Sequence, residues 1–162
     1  MKSFLYELCR WLAVAAAVLF LISSGAAGRG IDGDPQAVLE AVIQNADMTS
    51  MQPASHQMIK RLYGIDPSEY AFCTLYYPLT NMDVDELLIV KYADHSQEAS
   101  LREAVDARLE GQKKVFESYG VGQMDLMTHH SFYESRAGIA VFAVNAKSDD
   151  IRAAFIRVLE GK

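Results

Sequence analysis

Glu86-Leu87-Leu88-Ile89-Val90-Lys91-Tyr92-Ala93 is the stretch that decides how this chain folds. Neighbouring strand side chains point to opposite faces. Leu87 and Ile89 therefore face one way, and Leu88, Val90 and Tyr92 the other. Apolar groups on both sides describe a strand in the middle of a sheet. Before it, Glu69 to Tyr77 is dense in aromatic and β-favouring residues, Pro78 ends that run, and Leu79 to Asp85 is a polar loop. The two strands predict a hairpin.

Working outward, Gln97 to Tyr119 has helical spacing, with Ser96 as N-cap and Glu98 in the first turn. Its inward stripe is Leu101, Val105, Leu109, Gln112 and Phe116. Tyr119-Gly120-Val121-Gly122 stops it. Met127 to Ser135 reads as a polar edge strand and Gly138 to Asn145 as a central one, with Arg136-Ala137 short enough for a hairpin. Ser148 opens a last helix whose core face is Ile151, Ala154, Phe155 and Val158. Upstream, Asp34-Pro35 starts a helix carrying Val38, Leu39, Val42 and Ile43 on one face. Met48 to Ala54 reads as a loop, and Ser55 to Tyr63 as a short helix stopped by Gly64. The order is α-α-β-β-α-β-β-α. It predicts an α+β fold: a four-stranded antiparallel sheet of two hairpins, with helices mainly on one face.

The first 28 residues differ from the rest. Lys2 and Arg10 outweigh Glu7, an apolar run follows from Trp11 to Ile22, and Ser23-Ser24-Gly25-Ala26-Ala27-Gly28 is small throughout. This is the layout of a signal peptide. An uncleaved anchor is the rival: the uncharged gap between Arg10 and Arg29 would span about 27 Å as helix, against roughly 30 Å of hydrocarbon. Either way the domain is expected outside the cytoplasm, secreted or tethered. Residues 29–34 then form a linker and 35–162 a single domain.

Beyond residue 28 the chain has 13 basic and 20 acidic side chains. That net charge of −7 argues against nucleic acid and against lying on an anionic membrane, so membrane contact is expected only through residues 1–28. Cys73 is then the one remaining cysteine, and its apolar surroundings predict a buried, inert thiol.

Sequence motifs for cofactors fail on context. Gly28-Arg29-Gly30-Ile31-Asp32-Gly33 spells a dinucleotide fingerprint but follows no strand. Asn81-Met82-Asp83-Val84-Asp85-Glu86 alternates acids like a calcium loop, yet Glu86 stands where glycine is needed and Tyr92 where glutamate is needed. His129-His130 would point to opposite faces of a strand, with Glu134 on the side of His130 and no third ligand. No catalytic, cofactor-binding or metal residues are assigned. What remains is a set of strand aromatics that an open sheet face would display, and Tyr76, Tyr77, His129 and Tyr133 are the expected partner surface.

Three segments carry a family resemblance: Leu62-Tyr63-Gly64-Ile65-Asp66, Asp85-Glu86-Leu87-Leu88-Ile89-Val90-Lys91, and Arg108-Leu109-Glu110-Gly111-Gln112-Lys113-Lys114-Val115-Phe116-Glu117-Ser118-Tyr119. With them the chain resembles, over roughly residues 37 to 160, a family of short bacterial proteins defined only as a domain of unknown function. Its members look like exported or membrane-anchored proteins of Gram-positive, clostridial-type bacteria. The resemblance implies one domain outside the cytoplasm and carries over no site residues. The expectation is a non-enzymatic module of the cell envelope that binds a protein or small ligand. Two alternatives stand beside it: a hydrolase or metal-dependent enzyme using His130 and acidic neighbours, and a structural subunit of an envelope complex.

Overall fold

Leu87 and Ile89 pack against one layer of helices and Leu88 and Val90 against another, so the apolar two-sidedness of this strand organises the whole domain. The computed structural model describes residues 33–161; residues 1–28, read above as a signal peptide or anchor, and most of the expected linker lie outside them. In chain order the elements are α1 (Pro35–Asn45), β1 (Met51–Pro53), α2 (His56–Tyr63), β2 (Phe72–Pro78), β3 (Glu86–Lys91), α3 (Gln97–Phe116), α4 (Val121–His129), β4 (Ser131–Arg136), β5 (Ile139–Val144) and α5 (Ser148–Glu160).

The strands form one open antiparallel sheet in the order β1-β2-β3-β5-β4. As expected, β3 and β5 are central. Leu88 lies opposite Leu75 on one side and Phe142 on the other. The β4–β5 hairpin turns through Ala137 and Gly138, both at positive φ (51° and 76°), which suits the twist of the flanking strands.

The α+β class stands, but the sheet has five strands rather than four. The extra one, β1, falls in the stretch read as a loop. Met51, Gln52 and Pro53 pair with Pro78, Tyr77 and Tyr76. Three residues are too few to show a period, and the proline is tolerated because β1 is an edge strand. The helices also cover both faces rather than mainly one. Val38 and Val42 of α1 and Ile151 and Phe155 of α5 meet Leu87, Ile89, Ile139 and Val141. Ile59 of α2, Leu101, Val105 and Phe116 of α3 and Met127 of α4 meet Leu88, Val90, Ala140 and Phe142. A strand apolar on both sides requires cover on both sides, since each uncovered leucine-sized side chain would forgo roughly 1.5–3 kcal/mol of burial.

The third expected strand, Met127 to Ser135, forms over its second half but begins as helix. Met127, His129 and their neighbours belong to α4, and β4 starts only at Ser131. Met127 is buried and Met124 packs beside it, a three-residue spacing that marks a helix. Gly120 makes no side-chain cap and Gly122 dilutes the pattern.

Local rules hold at most ends. Asp34 accepts a hydrogen bond from the amide of Gln36 and caps α1. Gly64 closes α2 at φ 71°. Ser96 occupies the N-cap position of α3, but its hydroxyl makes no capping bond. Gly33, read as linker, is docked: its amide bonds to the Ala137 carbonyl, and an added Cβ would lie 2.5 Å from Leu159.

Candidate functional site

Ser55 caps α2 by accepting from the amide of Met58. The helix so fixed turns Ile59 and Tyr63 into the core and sets Met58, Arg61 and Leu62 along a cleft. Across it, α3 presents Arg108, Gln112, Val115 and Phe116 from successive turns. The end of β2 and the following loop, Tyr77 to Asp83, close the third side. The cleft has a volume of about 450 Å³.

A polar network lies behind its wall. Glu86 begins β3 and is fully buried. Tyr63 donates its hydroxyl to Glu86 Oε1 at 2.6 Å. Arg108 donates from Nε to both carboxylate oxygens at 3.2 Å and from Nη2 to Oε2 at 2.9 Å. Gln112 adds Nε2 to Oε2 at 3.3 Å. A buried carboxylate needs this many donors, because desolvation is repaid only by a partner charge and full hydrogen bonding. Burial first, and then the adjacent carboxylate, push the Tyr63 phenol well above its ordinary pKa. All four residues come from the three segments quoted above for the family resemblance.

The mouth of the cleft is apolar. The large hydrophobic side chains exposed among the described residues are Leu79, Met82, Val115, Tyr119 and Val121, from 51% to 85% exposed. Leu79 and Val115 line the cleft itself. Met82 lies in the same loop and is tied to α4 by a hydrogen bond from Gln123 Nε2 to its carbonyl at 2.9 Å. Tyr119 packs on Phe116, ring centres 5.6 Å apart, and Val121 follows at the start of α4. Leu79 and Val115 thus put exposed apolar surface on the cleft walls themselves, where a concavity gives it a use that scattered apolar groups do not have.

The expected partner surface does not form a single face. Tyr77 lines the cleft, but Tyr76 packs on the opposite side of the sheet with α1 and α5. Tyr133 sits on edge strand β4, its hydroxyl 3.0 Å from that of Tyr92 and its ring under the Arg102 guanidinium at 4.8 Å. His129 is the exposed last residue of α4. With helices on both faces, there is no open sheet face for these residues to line. His130 follows α4 rather than lying on a strand, and stands 4.0 Å from Asp125. Glu134, its expected acidic neighbour, is paired with Arg136 and Arg152. Among the described residues, no three His, Cys, Asp or Glu side chains are grouped so as to hold a metal ion. No described helix is long and apolar enough to cross a membrane.

Apart from Tyr77, the residues of the cleft and of the network behind it were missed in sequence because they sit in other patterns. Glu86 looks like a strand end, Gln112 fills a place in an apolar stripe, and Arg61 looks like ordinary helix surface. A glutamine on an inward stripe was the available signal, since a buried amide must find partners.

Fold and cleft define a three-layer α+β domain with an amphipathic cleft at one end of its sheet. The chain belongs to the family described as Domain of unknown function (DUF4358), whose model matches residues 44–152 and so includes every residue of the cleft. No curated protein and no solved structure matches the chain significantly.

Proposed function

We propose that this domain is a non-enzymatic binding module that works outside the cytoplasm and takes its partner through the cleft. The observation that carries this is the exposure of two apolar side chains, Leu79 and Val115, on the walls of a 450 Å³ cleft. Exposed apolar surface beside a concavity with a few fixed polar groups is the usual make-up of a recognition site. The basic, apolar and small-residue layout of residues 1–28 supports export.

The test uses the full-length protein in its own cells. Leu79→Ser and Val115→Ser should leave the melting temperature within about 2 °C of wild type, because both side chains are already half exposed. They should eliminate a cross-linked partner that the wild-type protein captures at the cleft. Unchanged cross-linking in both variants would sink the cleft as the binding surface. Recovery of the protein from the cytoplasmic fraction with Met1 intact would sink the export reading.

A further inference from the structure

The two edges of the sheet differ. In an antiparallel pair, alternate residues turn their N–H and C=O toward the partner strand, and the residues between turn theirs away. The amide of Ala54 bonds to the Leu75 carbonyl at 2.8 Å, so the groups that β1 turns outward belong to Met51 and Pro53. Met51 closes its N–H on the Met48 carbonyl at 3.2 Å, and Pro53 has no N–H to offer. On β4, the amide of Asn145 bonds to the His130 carbonyl at 2.9 Å. Counting on in twos, Phe132, Glu134 and Arg136 bond to β5, whereas Ser131, Tyr133 and Ser135 turn outward. β4 is the last strand of the sheet, and no described residue bonds to the outward backbone groups of these three.

We propose that β4 pairs with the β4 of a second copy of this chain, antiparallel about a two-fold axis at Tyr133. An open edge is a template for another strand, and proteins guard such edges with proline, bulges or free charges. β4 contains no proline and keeps unbroken register with β5 from Ser131 to Arg136. Its one carboxylate is not a guard: Glu134 is held by Arg136 and Arg152, with its side chain only 11% exposed. The cleft is left free, since no residue of β4 lines it.

The strand is matched to itself in one register. Outward groups meet outward groups when Ser131, Tyr133 and Ser135 face one another across the axis. Centring the pair on Glu134 would set two carboxylates directly opposite, which is unfavourable. Centring it on Phe132 or on Ser135 leaves at least one of the three with no strand residue opposite. Centring it on Tyr133 matches all of them: Ser131 faces Ser135, and Tyr133 faces Tyr133. Aromatic pairs directly opposite are favourable, and Phe132 then faces Glu134, whose charge is already taken. The acidic balance of the domain does not keep two copies apart, since charges more than about 8 Å away are largely screened at physiological salt.

Cross-linking of the full-length chain with an added oxidant tests this. A Cys9→Ser background leaves Cys73, packed against the core, as the one native cysteine. Directly opposite residues of a hydrogen-bonded antiparallel pair have Cα atoms about 5.5 Å apart, within reach of a disulfide. Tyr133→Cys should therefore give a disulfide-linked dimer. So should the double variant Ser131→Cys with Ser135→Cys, which keeps the Tyr133 side chain and serves if Tyr133→Cys fails to fold. Ser135→Cys alone should not, because its counterpart lies four residues along the strand, roughly 13 Å away. Ser135→Pro removes an outward N–H and leaves the ladder to β5 intact. Added to Tyr133→Cys, it should cut the dimer yield about tenfold or more. No dimer from either cysteine variant overturns the proposal, as does a Ser135→Cys dimer as abundant as theirs or a yield that Ser135→Pro leaves unchanged.

Discussion

Tyr63 donates to Glu86 across 2.6 Å, joining the end of α2 to the start of the central strand inside the protein. Arg108 supplies the opposite charge from α3, with its side chain only 18% exposed. Removing one partner of a buried pair leaves the other charge unsatisfied, which costs about 3–5 kcal/mol. Arg108→Ala should approach the lower end of that range, since its outer edge meets the cleft. Tyr63→Phe should cost less, about 1.5–3 kcal/mol, for a hydrogen bond to a charged group. Replacing both Glu86 and Arg108 by leucine should be milder than Arg108→Ala alone. Urea unfolding of the three variants checks the order, and an Arg108→Ala loss below 1 kcal/mol would contradict a structural role for the network.

Burial pushes the Asp85 carboxyl above its ordinary pKa, with help from Asp47 and Asp83, while Ser50 opposes the shift. Asn145 donates to its Oδ1 at 3.3 Å. A raised acid favours the folded state when protonated. Its contribution is full below the unfolded pKa of about 3.9 and is lost as pH rises through the raised folded value. Asp85→Asn keeps an acceptor for Asn145 and removes the charge. The variant should melt higher than wild type at pH 7 and alongside it at pH 3, with the gap opening above about pH 4. A gap that is constant across this range would show that ionisation of Asp85 is not its source.

Much of this fold was legible because it rests on local chemistry. Asp34-Pro35, Gly64 and the unbroken apolar runs of β3 and β5 each identify an element with few neighbours needed. β1 was not legible, since three residues carry no period and take their structure from pairing with β2. α4 was hidden by its glycines and its uncapped start. The layering could have been read from Leu87, Leu88, Ile89 and Val90, since apolar side chains on both faces of a strand need two covers. The cleft is another matter: Arg61, Gln112 and Leu79 come from three elements, and only tertiary packing brings them together.

Cys73 gives a test of the layer containing β2. It packs against the core on the side of α2, α3 and α4, and burial pushes its thiol up to about 12. At pH 8 the thiolate fraction is then on the order of one in ten thousand, far below that of a free cysteine. In native protein Cys73 should resist a disulfide reagent at pH 8 for as long as the fold persists, and react within seconds in 6 M guanidinium. Fast labelling without denaturant would mean that β2 is open to solvent.

Gly120 is required for space rather than for backbone freedom. Its φ of −103° is ordinary, but a Cβ there would lie 2.6 Å from Phe116 Cδ1 and 2.8 Å from Phe116 Cβ. The second contact is at the base of a side chain on a rigid helix and cannot simply swing away. Gly120→Ala should therefore cost about 1–3 kcal/mol, as overpacking does. Gly111, inside α3 with nothing within 4 Å, provides the contrast: Gly111→Ala should stabilise by about 0.5–1 kcal/mol through helix propensity. Because Phe116 both lines the cleft and supports Tyr119, the displaced ring should also disturb the apolar mouth. Gly120→Ala should thus weaken ligand binding under conditions where the protein remains fully folded. Stability and binding that both match wild type would place the turn before α4 further from Phe116 than described above.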